Sequence, residues 1–272
     1  MVPHPPLIIP EVGRGEESII APTSEAYDRA ASFAASLRPD TVVIASPHSI
    51  MYRDYIHISP GRSAVGDLSA FRAPQVRIEA EYDTEMVRLM TQMAFDEGLS
   101  AGTDGGRDPS LDHGTLIPLY FLNRYIQDFK VIRIGLSMLP FTDHYRMGRI
   151  VQKAAEELGR SVVFIGSGDL SHKLQKYGPY GFVKEGPEYD TRIMEVCGSA
   201  DFGKFLDFDE RFCEKAAECG HRSFCMMAGA LDGMSLETEK LSHEGTFGVG
   251  YGVCTYRVTG TDEERRFLNV RR

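Results

Sequence analysis

The alternation of short apolar strands with helical segments constrains this chain more than any other feature of its sequence. Residues 41–45 (Thr-Val-Val-Ile-Ala), 130–134 (Lys-Val-Ile-Arg-Ile) and 161–165 (Ser-Val-Val-Phe-Ile) are runs of strand length, rich in β-branched residues. Segments with helical spacing lie at 24–37, 83–97, 114–128, 142–158 and 187–197. Asp83 and Thr142 stand where N-caps of two of them belong. Strands alternating with helices predict βαβ units, and strands apolar along their whole length predict a sheet covered on both faces. The expected fold is a single α/β domain with a mostly parallel central sheet and helices on both faces. A strand alternating Gly with larger residues at 247–257 is the last element expected. No composition shift divides the 272 residues, so the domain is expected to span 1–258, with 259–272 a charged, strand-free tail.

Charge narrows the function. Lys and Arg total 30 against 39 Asp and Glu, a net charge of −9, which disfavours nonspecific binding to nucleic acid or an anionic membrane. No apolar run approaches the roughly 18–20 residues needed to span a bilayer. Residues 1–10 carry four prolines and no basic residue, unlike a secretory signal. The five cysteines (Cys197, Cys213, Cys219, Cys225, Cys254) lack CxxC or zinc-ribbon spacing. Reduced thiols and a cytoplasmic location are expected. Four of the five fall in 197–225, which reads as helical, and are expected to act as small buried hydrophobes.

The chemistry collects at histidines placed in tight turns beside apolar strands. His48 follows the 41–45 run through Ser46-Pro47, where open α/β sheets bind ligands. Its two readings are a metal ligand and a solvated loop residue. His4 sits among Pro3, Pro5 and Pro6, which stiffen a terminus that is otherwise a poor place for a ligand. His113 follows Asp112, which either orients the imidazole or caps the next helix. His172 ends Gly166-Ser-Gly-Asp-Leu-Ser, a turn that also fits an anion nest but lacks nucleotide-binding spacings. Glu244 precedes a Gly-rich apolar strand and either completes a metal site or belongs to a polar loop. Its neighbour His243 points to the opposite face if the segment is extended. Two histidines and a carboxylate with open positions form the ligand set of non-haem Fe(II) oxygenases.

In this order, Pro3-His4-Pro-Pro, Ser46-Pro-His48, Asp112-His113-Gly, Gly168-Asp-Leu-Ser-His172 and Glu244-Gly-Thr-Phe-Gly-Val-Gly-Tyr resemble the class III extradiol dioxygenase superfamily, the LigB-like proteins. The resemblance is closest to the branch of the Memo proteins and AmmeMemoRadiSam systems. It implies a LigB-like fold, with His4, His48 and Glu244 as metal ligands. His172 is implied as the acid/base, and His113 as a second active-site histidine that hydrogen-bonds substrate or bound oxygen. Memo proteins place a Cys at the third ligand position, which this alignment of motifs gives to Glu244.

The implied activity is ring cleavage of a catechol-type aromatic diol with O2 at Fe(II), with Zn or Cu as other metals the ligands would accept. His172 takes a proton from the catechol and returns it during ring opening. Two rivals remain at this level. One is a non-catalytic or redox metal protein working with AMMECR-type and radical-SAM partners. The other is a zinc hydrolase using the same ligands. A homo-oligomer is compatible with the apolar edges of such sheets.

Overall fold

A computed structural model describes residues 1–268. In chain order the strands are β1 (Thr41–Ser46), β2 (Ile56–His57), β3 (Ser63–Leu68), β4 (Ala73–Glu81), β5 (Ala101–Gly102), β6 (Lys130–Gly135), β7 (Val162–Gly166), β8 (Met234–Glu244) and β9 (Tyr251–Thr261). The helices are α1 (Pro10–Gly13), α2 (Ala21–Ser36), α3 (Thr84–Asp96), α4 (His113–Leu122), α5 (Phe141–Leu158), α6 (Glu185–Ser199), α7 (Glu210–Ala216) and α8 (His221–Ala230).

The α/β fold expected from the alternation is present. β1 lies between β6 and β7, parallel to both. All six of its residues are buried, as a strand covered on both faces requires. Its side chains alternate between two cores. Val42 and Ile44 join Tyr27 of α2 and Leu116 of α4, while Val43 and Ala45 join Met86 of α3, Ile150 of α5 and Met226 of α8. α2 earns its place with Thr23, Ala26, Tyr27, Ala30, Ala31 and Ala34, a buried stripe at helical spacing. Asp83 caps α3 as expected, accepting from the Met86 N–H at 3.1 Å. Thr142 does not cap α5. That helix starts one residue earlier, after Pro140, whose geometry sets the entry. α4 stops at Leu122, short of the expected 128, and the chain turns through 123–125.

Two antiparallel hairpins were not evident in the sequence, β3–β4 and β8–β9. β8 is mostly half-buried or exposed, so it lacks an apolar run. β9 begins four residues later than the Gly-alternating segment suggested and continues to Thr261. Residues 259–261 are therefore strand, and the next few fold back rather than trail away. The Phe267 N–H donates to buried Asp232 at 3.2 Å, and Phe267 and Leu268 pack on the core around α6 and α8. The remainder of the expected tail, 269–272, lies outside the described residues.

α5 and α8 touch through backbone. A Cβ at Gly229 would stand 1.9 Å from the Tyr145 carbonyl oxygen, and one at Gly148 1.9 Å from that of Met226. Neither partner is a side chain that can swing aside, so Gly229→Ala should destabilise the protein by about 2 kcal/mol or more, measured by urea unfolding.

Two histidines serve this core. His221 Nε2 donates to Phe205 O at 2.9 Å, while its Nδ1 faces the Tyr189 hydroxyl at 3.2 Å. His144 Nδ1 lies 3.0 Å from Pro140 O, and its Nε2 accepts from the Ser137 N–H at 3.2 Å. Both rings are satisfied when neutral. Burial pushes His144 down to about 4 from an ordinary value of 6.5. Between those values the unfolded chain holds a proton that the folded chain lacks. The stability present above pH 6.5 is thus lost as pH falls toward 4, by up to ~1.4 kcal/mol per pH unit for this group. His144→Asn should flatten that slope in urea titrations run between pH 7 and 5.

Candidate active site

The site forms where three parallel segments leave the sheet. The Val2 N–H donates to Gly166 O and the Gly168 N–H to Val2 O, both at 3.0 Å, so residues 1–2 run parallel to β7. Pro3-His4 therefore departs at the same edge as Ser46-Pro47-His48 after β1 and Ser167-Gly168-Asp169 after β7. That is the carboxyl edge, where open α/β sheets bind ligands.

His4 is buried and its tautomer is determined by its neighbour. The single hydroxyl proton of Ser167 goes to Gly114 O at 2.6 Å. Ser167 Oγ, 3.0 Å from His4 Nδ1, must then accept from that nitrogen. His4 consequently presents a lone pair at Nε2, which lies 3.1 Å from Nε2 of exposed His48. That distance suits a shared proton. It equally suits two nitrogens each about 2.0–2.1 Å from one cation. Burial, with His48 adding to it, pushes His4 down to about 3, so the ring is neutral and available as a ligand at physiological pH.

His113 completes this wall. Its ring centroid is 3.9 Å from that of His48 and 5.4 Å from that of His4, with Phe71 at 5.3 Å on another side. Burial first, then His48 and His4, push it down to about 4. Of its two readings, Asp112 fulfils the helix cap, and its other partner is a serine hydroxyl, with no imidazole among them. It caps α4 through the Thr115 N–H at 3.0 Å and accepts from Ser46 Oγ at 2.6 Å, two residues before His48. Arg133, 1 % exposed, backs it from β6, with Nη1 3.6 Å from Asp112 Oδ2 and Nε donating to Ser59 at 2.9 Å.

On the far side of His4 stand Asp169, Cys219 and His172. Gly168 and Gly220 approach backbone to backbone, since a Cβ at Gly168 would meet Gly220 Cα at 2.1 Å. This places Cys219, in the turn between α7 and α8, with Sγ 3.6 Å from His4 Nε2. Burial raises the thiol well above its ordinary value. A cation at His4 and His48 would supply the countercharge that a thiolate needs. Asp169 Oδ1 accepts the His4 amide at 2.8 Å, and its Oδ2 lies 3.9 Å from His172 Nε2. The Nδ1–H of His172 donates to Ala217 O at 2.6 Å, leaving Nε2 as the free base nitrogen facing the cluster.

Among the described residues, two groups bring three potential donor atoms within 4.8 Å of one another, His4/His48/His113 and His4/Asp169/Cys219. Glu244 is in neither. Its carboxylate accepts the Thr23 N–H at 3.0 Å and the Thr23 hydroxyl, and also Thr246 Oγ1 at 2.9 Å. The physical reason is local. α2 has no side-chain cap of its own, and Glu244 satisfies an amide in its first turn. His243 points the other way, to Asp190 Oδ2 at 3.0 Å, as neighbours in a strand should. Of the five residues singled out by sequence, the structure brings His4, His48 and His113 together, puts His172 beside them, and holds Glu244 at α2. Cys219 was missed because 197–225 looked uniformly helical. The Cys219-Gly220 pair, breaking that stretch, was the available signal.

The family model of the catalytic LigB subunit of aromatic ring-opening dioxygenase matches residues 1–254. The chain belongs to the LigB family. It is 36% identical to Protein CA_C1420 of Clostridium acetobutylicum over 97% of its own length, and spans 58% of that relative. It is 23% identical to the 2-aminophenol 1,6-dioxygenase beta subunit of a Pseudomonas species, covering 95% of this chain and 92% of that one. A MEMO1 family protein of Methanopyrus kandleri is 26% identical, with 82% and 75% covered. Among solved structures, an uncharacterized protein from Escherichia coli K12 superposes with a TM-score of 0.51 at 16% identity, covering 84% of this chain and 91% of that one, a likeness of fold. No helix among the described residues is long and apolar enough to cross a membrane.

Cys219 and Glu244 make opposite predictions for metal content. Cys219→Ala should lower metal affinity at least about tenfold, whereas Glu244→Gln should retain stoichiometric metal and lose thermal stability instead. Metal analysis after dialysis, with Tm measured in parallel, checks both.

Proposed function

We propose that His4, His48 and Cys219 hold one divalent metal, Fe(II) in the active form, and that a small aromatic diol is opened there with O2 in extradiol fashion. The observation that carries this reading is His172. Its Nε2 lone pair is fixed in place beside a pair of neutral histidines whose own Nε2 atoms converge. Such a site needs a metal-binding pair and a base that is not spent as a ligand.

When bound, the metal supplies Lewis acidity toward a coordinated hydroxyl and a place for O2. The protein does the rest. Exposed His48 leaves the site open to a ligand, while buried His4 is locked by Ser167 and the Asp169 carboxylate. His172 Nε2 accepts the proton that an incoming hydroxyl gives up and returns it to the opening ring. Asp169, 3.9 Å away, favours the imidazolium formed in between. His113, walled by Phe71, would offer a hydrogen bond to the diol.

A second reading has its own support. A thiol at 3.6 Å from His4 is softer than a carboxylate and suits Cu or Zn as well as iron. On that reading the chain is a Memo-like redox metal protein acting with AMMECR-type and radical-SAM partners, and cleaves no ring.

Anaerobic purification with metal analysis, followed by catechol-dependent O2 uptake, separates the two. His172→Ala should keep its metal and lose about 10²–10⁴ in kcat. Absence of O2 uptake by the iron-loaded wild type across a panel of catechols and aminophenols decides for the second reading.

A further inference from the structure

The chain after β7 builds a small hairpin that stands beside His172. Leu174 bridges Phe182, and the Val183 N–H donates to Lys173 O at 3.2 Å. The tip closes through the N–H groups of Gly178 and Gly181, which donate to Gln175 O at 3.1 Å and Gly178 O at 3.2 Å. The hairpin is seated on the Gly-rich run that follows Glu244. The Leu174 N–H donates to Gly248 O at 3.1 Å, and Gln175 Nε2 donates to Gly245 O at 3.0 Å and Thr246 O at 3.1 Å. A Cβ at Gly245 would stand 2.5 Å from Leu174 Cδ1, and one at Gly248 3.3 Å from Gly178 Cα. Glycines at these places let the hairpin lie directly on the backbone between β8 and β9. It is a seated wall of the site, held at its base and along one side.

That wall presents aromatic rings. Tyr180 is 59% exposed, and its ring stands perpendicular to that of His172 with the centroids 5.2 Å apart. Burial first, then Asp169, Glu244 and Tyr180, push the Tyr251 phenol up from its ordinary value, so Tyr180 shares the surroundings of those two carboxylates. Among the described residues nine large apolar side chains are exposed. Five of them lie on the three loops that leave the carboxyl edge of the sheet, Met51 after β1, Met138 after β6, and Tyr177, Tyr180 and Phe182 after β7. The first two loops are joined, since the Met138 N–H donates to Arg53 O at 3.0 Å. Single exposed apolar residues are ordinary on a protein surface, whereas their concentration at the mouth of one site points to a ligand. The floor of the site is polar by contrast, made of His4, His48, His113, Asp169 and His172. A ligand matched to both carries polar groups at one end and an apolar group at the other.

We propose that Tyr180 is the specificity-determining residue of this site, its ring being the wall against which an aromatic diol lies while a hydroxyl faces His172, and that the preferred diol carries an uncharged apolar substituent directed outward along Phe182. The proposal rests on the reading of the site as one for an aromatic diol. Aromatic rings favour edge-to-face or offset contacts at centroid separations of about 4.5–7 Å, and a ring placed beside His172 meets Tyr180 within that range. Lys173 and Lys176 flank the same wall. A carboxylate on the substrate ring is therefore the alternative that the experiment has to separate.

The test is calorimetric binding of 4-tert-butylcatechol and of 3,4-dihydroxybenzoate to the Fe(II)-loaded full-length chain without O2, with metal content and Tm measured for each variant. The wild type should bind the tert-butyl compound at least about tenfold more tightly than the carboxylate. Tyr180→Ala should weaken binding of the tert-butyl compound at least about fivefold with metal content and Tm unchanged, and Tyr180→Phe, which keeps the ring, should restore it. Tyr177→Ala, at the exposed tip of the same hairpin, should change affinity less than about twofold. Wild-type affinity in Tyr180→Ala overturns the proposal. So does a wild-type preference for the carboxylate, and so does an equal loss in Tyr177→Ala, which would trace the effect to the hairpin as a whole. Binding of neither catechol by the metal-loaded wild type overturns the diol reading itself, and this proposal with it.

Discussion

The register of β1 between β6 and β7 is the constraint on which the site depends. Because both ladders are parallel, with Ser46 opposite Gly135 and Ala45 opposite Gly166, the three strands end within one residue of one another. The residues that follow emerge together, so His48, two residues past β1, and Asp169, three residues past β7, both reach His4 without any long loop. Val2 adds a fourth carboxyl end to the same edge, which brings His4 from the start of the chain to within 3.1 Å of His48. Slipping any strand by one residue would reverse its faces and take its donor out of the cluster.

How much of this could be seen in the sequence follows from the same physics. β1, β6 and β7 were legible because strands buried on two faces must be apolar throughout. The long helices were legible because each has one buried stripe. β8 was not, since a surface hairpin strand has charged residues on its exposed side and owes its pairing to β9, more than a dozen residues away at most positions. His4, His48 and His113 could be picked out because each sits in a turn where a helix or strand has no use for an imidazole. Glu244 had the same appearance, yet its carboxylate accepts from Thr23 in the first turn of α2, 221 residues away, a contact that no local pattern discloses. Cys219 was hidden for the opposite reason. It lies among four other thiols that are ordinary buried hydrophobes, and only the approach of Gly168 to Gly220 distinguishes it.

The polar groups behind the histidines form a chain in which each link has one way to be satisfied. Ser167 can give its proton only to Gly114 O, so His4 must offer Nε2. Asp112 uses both oxygens, on Thr115 and Ser46, and buried Arg133 compensates its charge. Ala217 O fixes His172 in the same manner. Proton positions that are free to vary in an exposed histidine are therefore determined here by main-chain carbonyls, which do not move without the fold.

The backbone contact of α5 with α8 bears on the span of the proposed metal site. α8 begins one residue after the Cys219-Gly220 turn, and two glycines seat it against α5 with no side chain between them. The turn itself is held by the approach of Gly168 to Gly220, so backbone contacts brace α8 at both ends. A pocket of fixed span discriminates ions by size and preferred angle, where a compliant one would follow affinity alone up the series toward copper. Were a metal held between His4 and Cys219, the span it meets would be set in part by a helix contact on the side of α8 that faces away from the site.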